Sequence, residues 1–140
     1  MSLDTVIKGA NTVLKLQKGI ARVHENAPES LSLLPATTLV PDKGDIDWPR
    51  KPNQRNTTHN LTLTLLVARG GDLAASDQAL KPWVDTIIDL FDQHFTLEGT
   101  VFVAGIVSYD YGHVEYGGTT YLGVTYTLRA VELQAVNFHK

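Results

Sequence analysis

Hydrophobic and polar positions alternate most regularly in the last third of the chain. Val101–Tyr111 and Thr119–Val131 are rich in β-branched and aromatic residues, and Gly112, Gly117 and Gly118 lie between them, a pattern that predicts an antiparallel hairpin. In the second run Leu122, Val124, Tyr126, Leu128 and Ala130 share one face, while Tyr121, Thr125, Thr127 and Arg129 share the other. One face therefore needs a cover. Upstream, between Ser76 and Phe95, the residues Leu80, Trp83, Val84, Ile87, Ile88, Leu90, Phe91 and Phe95 recur at helical spacing. Asp85, Asp89 and Asp92 occupy the opposite stripe. Pro82 must either kink this helix or mark the first turn of a later one.

The rest of the chain adds shorter elements. Leu3, Val6, Ala10, Val13 and Leu14 predict a first helix over Asp4–Lys18, stopped by Gly19; Gly9 inside it makes it dependent on tertiary contacts. Ile20–Glu25 reads as a short strand. Five prolines between Pro28 and Asn60 exclude a long helix there. Ala36–Val40 is a strand, and Lys43-Gly44-Asp45 is expected to turn it into a second strand, Asp45–Trp48. Arg50–Asn60 carries Arg50, Lys51 and Arg55 and no aliphatic residue, so it is expected to be an arm that orders on a partner, anchored by Ile46 and Trp48. Thr58–Ala68, with Leu61, Leu63, Leu65 and Val67 on one face, is expected to be a central strand. The expected fold is α+β: an antiparallel sheet of strands of mixed length, two α-helices packed on one face, and an extended β-hairpin arm over about residues 36–57.

Composition bounds the rest. A chain of 140 residues, 43% hydrophobic, fits a single domain over residues 1–140. Twelve basic and fifteen acidic residues give a formal charge of −3, which provides no global attraction for a polyanion. The absence of cysteine excludes disulfides, a thiol nucleophile and thiolate metal sites. Met1–Gln17 lacks the continuous apolar core of a signal peptide, and no apolar run reaches the roughly 20 residues of a membrane span, so a protein made in the cytoplasm is expected.

Candidate chemistry is sparse. The paired glycines lack the pattern of a phosphate loop, and no two histidines stand at the i, i+4 spacing of a helical zinc pair. Asp110, His113 and Glu115 cluster in the hairpin and could ligate a divalent ion, though a polar turn uses the same residues. Asp42, Asp45 and Asp47 lack calcium-loop spacing. The serines lack a nucleophile elbow. No catalytic residue, cofactor or metal is expected. The remaining small-ligand or enzyme alternative is a pocket between the second helix and the hairpin, with Tyr109, Tyr111, His113 and Glu115 at its mouth.

Several phrases, in their order, resemble the tail terminator proteins of long, non-contractile-tailed bacteriophages. They are the amphipathic N-terminal helix, Pro35-Ala36-Thr37-Thr38-Leu39-Val40-Pro41, and His59-Asn60-Leu61-Thr62-Leu63 opening a strand. After the Pro82-bearing helix follow Leu97-Glu98-Gly99-Thr100-Val101 and Tyr116-Gly117-Gly118-Thr119-Thr120-Tyr121-Leu122-Gly123. The resemblance implies a structural virion protein, not an enzyme, that forms a hexameric ring on the tail tube. Such a ring would end tube growth and meet the head connector, after assembly in the host bacterial cytoplasm. Its partners would be copies of itself, the tail tube protein and the connector or neck protein, with DNA only passing through the channel and no membrane. A neck protein beside the portal is an alternative of the same class. From the residues themselves, Ile46 and Trp48 are expected to pack on a neighbouring subunit while Arg50, Lys51 and Arg55 meet its Asp85, Asp89 and Asp92.

Overall fold

The computed structural model describes residues 3–24, 34–48, 54–69 and 73–135. It is an α+β fold with element order α1 (Leu3–Lys15), β1 (Arg22–His24), β2 (Ala36–Asp47), β3 (Gln54–Arg69), α2 (Leu73–Gln93), β4 (Val103–Tyr116) and β5 (Thr119–Ala135). The strands form one sheet in the order β1-β2-β3-β5-β4, antiparallel except for the short parallel pairing of β1 with β2.

The alternation of β5 sets the core. Leu122, Val124, Tyr126, Leu128 and Ala130 are all buried on one face, opposite Leu61, Leu63 and Leu65 of β3. Both helices cover that face: Val6, Ala10, Val13 and Leu14 from α1 and Leu80, Ile87, Leu90 and Phe91 from α2 join the same cluster. α1 lies toward β1 and β2, α2 toward β4 and β5. On the uncovered face Ala36, Leu66 and Tyr121 form a small second cluster with Leu34, Val114 and Tyr116.

Helix α1 stops at Lys15 instead of the expected Lys18, because the amides of Leu16 and Gln17 bond back to Val13 and Leu14 in a tighter turn before Gly19. Gly9 is buried where α1 crosses the segment after α2: a Cβ there would stand 2.5 Å from the Thr100 hydroxyl and 2.6 Å from the Leu97 carbonyl oxygen. The glycine sets how closely the helix approaches. That segment is strained, since Leu97, Glu98 and Gly99 all have positive φ, at 48°, 60° and 81°. Its hydrogen bonds hold it: the Thr100 hydroxyl donates to the Leu97 carbonyl at 2.8 Å, and the Gly99 amide to Thr96 Oγ1 at 3.3 Å.

Four expectations about element boundaries need correction. Lys43-Gly44-Asp45 is no turn; β2 runs through it to Asp47, with only a bulge between Pro41 and Lys43 where it pairs with β3. The hairpin arm is therefore made by β2 and the first half of β3, and residues 54–60 of the supposed loop are strand, paired on both sides with β2 and β5. Residues 110–116 likewise belong to β4, leaving only Gly117-Gly118 as the turn, with φ of 58° and 80° as a two-residue hairpin loop demands. Finally, α2 begins at Leu73 and contains Pro82 in its interior, so the proline does not open a later helix.

Candidate functional site

The two long outer strands define the site. Among the described residues β1 pairs with β2 only at Ala36–Thr38, so no described strand borders the rest of β2, Leu39–Asp47, on that side, and none borders β4 on the side away from β5. Unpaired amides and carbonyls in such edges are templates for another strand. Both edges carry exposed apolar side chains, Val40, Ile46 and Trp48 along or beside β2, and Val103, Val107, Tyr109 and Tyr111 on β4.

At the β2 edge, Ile46 and Trp48 are each 55% exposed, and the Arg55 guanidinium lies 5.7 Å from the centre of the Trp48 ring. That distance is within range of a cation–π contact. Arg50 and Lys51 lie outside the described residues. At the β4 edge, the exposed carboxylates Asp85, Asp89 and Asp92 follow one side of α2. Beneath Asp85 is a cavity of about 260 Å³ lined by Leu80, Lys81, Val84, Asp85, Tyr109 and Tyr111, which is the expected space between the second helix and the hairpin. The rings of Tyr109 and Tyr111 stack with centres 6.4 Å apart, inclined by 25°. His113 and Glu115 lie farther along the same face and are not among its lining residues. Tyr126, fully buried and paired across the strands with Tyr109, donates its hydroxyl to the Trp83 carbonyl at 3.0 Å. Burial, then the charge of Asp85 and the neighbouring Tyr109, hold its phenol protonated well above the usual tyrosine range.

Among the described residues, the Trp48–Arg55 pair stands at the β2 edge and the aspartate stripe on the helix that lies toward β4 and β5. β2 and β4 are separated by β3 and β5, three strand spacings or roughly 14 Å across the sheet.

No known family model or curated protein sequence matches this chain. Among the described residues no group of three or more His, Asp or Glu side chains is placed to hold a metal ion. Register explains why the hairpin trio fails: Asp110 pairs with Thr125 on the uncovered face, whereas His113 and Glu115 sit on the helix side opposite Leu122 and Thr120. No helix of the described residues is long and apolar enough to cross a membrane.

A pair invisible in the sequence lies under the arm. His59 Nε2 is 3.5 Å from Glu132 Oε1; the Glu132 side chain is fully buried and His59 nearly so. They meet because Thr57 stands opposite Glu132 and His59 opposite Ala130, which sets both ionisable side chains diagonally on the helix face of the sheet. Beside them a second cavity, about 300 Å³, is lined by Leu3, Pro41, Ile46, Thr57 and His59 among others. At a separation of 3.5 Å neither His59 Nε2 nor Glu132 Oε1 makes a hydrogen bond, so the contact is a close approach of two buried polar groups.

Proposed function

We propose that this chain is a structural protein of a phage tail, a terminator whose copies join edge to edge into a closed ring on the end of the tail tube. The observation that carries the reading is the pair of open, apolar-flanked edge strands on opposite sides of one sheet. Identical chains that join through two different edges form a heterologous contact, which yields a ring when the rotation closes. The order of phrases along the sequence supplies the phage assignment, and through it the tube protein and the head connector as the surfaces above and below. Virion location, at the tube end nearest the head, follows from the same reading. A neck ring beside the portal would use the same edges.

The test is tube assembly. Added to purified tail-tube protein as it polymerises, the chain should shorten the tubes and leave ring-shaped density at one end only. Tubes of unchanged length with bare ends would overturn the terminator role. A second reading, a small-ligand site, draws on the cavity under Tyr109 and Tyr111, and it requires a bound small molecule to protect Tyr111 from surface modification.

A further inference from the structure

We propose that the cavity between α2 and β4 seats the Trp48–Arg55 pair of a second copy of this chain, delivered by antiparallel pairing of the open β2 edge with the middle of β4. This rests on the ring reading above and gives it a specific joint.

Strand direction is the first support. β2 is antiparallel to β3, β3 to β5, and β5 to β4, so β2 and β4 of one chain point in opposite directions. Placing the β2 edge of one copy beside the β4 edge of the next therefore continues the alternation across the joint without turning either sheet over. Face is the second support. Ile46 pairs with Thr57, which alternates with His59 and Leu61 on the helix side; Arg55 lies two residues from Thr57 on that side too. Tyr109 and Tyr111 pair with Tyr126 and Val124, again on the helix side. Residues directly opposite across an antiparallel joint share a face. Setting Ile46 opposite Tyr109 then pairs Gly44 with Tyr111 and Lys43 with Gly112 on one side and Asp47 with Ser108 on the other, a span that stops at the bulge between Pro41 and Lys43. This span lies beyond Ala36–Thr38, where β1 pairs with β2.

The chemistry of the two patches is complementary. Leu80 and Val84 offer an apolar floor for an indole, Tyr109 and Tyr111 offer ring faces to a guanidinium, and Asp85 offers a carboxylate at the rim. The donor patch brings an indole 55% exposed with a guanidinium already lying over it. The cavity's size also favours a side chain: about 260 Å³ is below the roughly 300–1,000 Å³ of small-molecule clefts. Among the described residues the two patches of one chain lie on opposite edges, so a second copy is what brings a Trp48–Arg55 pair to the seat.

Because the chain has no cysteine, the joint can be tested by cross-linking. Ile46→Cys and Tyr109→Cys in one chain place thiols at facing positions, where opposed Cα atoms in a sheet come within about 4.5–5.5 Å. Mild oxidation should give a ladder of covalent multimers ending at the ring size, whereas either single variant should remain monomeric on a denaturing gel. A covalent dimer from Ile46→Cys alone would show a two-fold joint and overturn the proposal. In the charge pair, Arg55→Glu should weaken assembly about tenfold or more, and adding Asp85→Arg to that chain should restore it. No restoration would overturn the seating. Rings that assemble without cross-linking refute this joint and leave the ring reading standing; a chain that never assembles refutes both.

Discussion

Tyr126 shows how one side chain can link the core to the surface cavity. It is fully buried in the middle of β5, yet its hydroxyl reaches the Trp83 carbonyl on α2 and it pairs across the strands with Tyr109, which borders the cavity. Tyr126→Phe should cost about 1 kcal/mol of unfolding free energy, the usual net value of one hydrogen bond. The pH dependence has a definite sign. The folded protein keeps this proton above the ordinary tyrosine value of 10.0, so the unfolded chain ionises first and stability falls as pH rises through 10.0. Denaturation across pH 9–11 should therefore show a smaller alkaline loss in Tyr126→Phe than in the unaltered protein. His59 gives a second residue-level prediction. Truncation to Ala removes the imidazole from beside the buried Glu132, an expected loss of about 1–3 kcal/mol in chemical denaturation. His59→Ala together with Glu132→Leu should recover part of that loss.

At the scale of elements, what was legible in the sequence was what local pattern determines. The buried face of β5 follows directly from its alternation, and Gly117-Gly118 supplies the two left-handed residues that a tight hairpin turn needs. Elements stabilised by their neighbours were not legible. Residues 54–60 carry no aliphatic side chain, yet they form strand because β2 and β5 satisfy the backbone on both sides, and because Arg129 Nε donates to Asn60 Oδ1 at 3.2 Å. Lys43-Gly44-Asp45 has turn chemistry, but antiparallel pairing with Thr58, His59 and Asn60 keeps it extended. His59 and Glu132 meet only through strand register, which local sequence does not encode. The candidate interface divides in the same way: Ile46, Trp48 and the aspartate stripe were readable as exposed residues, whereas their separation to opposite edges depends on the strand order. Gly9 gives the test at this scale. Helix propensity alone favours alanine there by up to about 1 kcal/mol. The contacts with Thr100 and Leu97 predict the reverse, a loss of about 1–3 kcal/mol for Gly9→Ala in thermal or chemical unfolding.

For the whole molecule, both helices cover one face of the sheet, and no described strand borders most of β2 or the outer side of β4, so backbone and exposed apolar side chains are available for association at opposite edges. An isologous pairing of either edge would close as a dimer and leave the other edge exposed; a heterologous joint uses both. A closed ring leaves no free edge, which satisfies the requirement that small open sheets protect their margins. The measurement that tests this most directly is the mass of the purified chain across a wide concentration range, with negative-stain images of the same samples. The ring account predicts that a closed species of about six copies with a central hole replaces the monomer as concentration rises, without intermediates growing into filaments. A monomer or a two-fold dimer of constant mass at every concentration would contradict it.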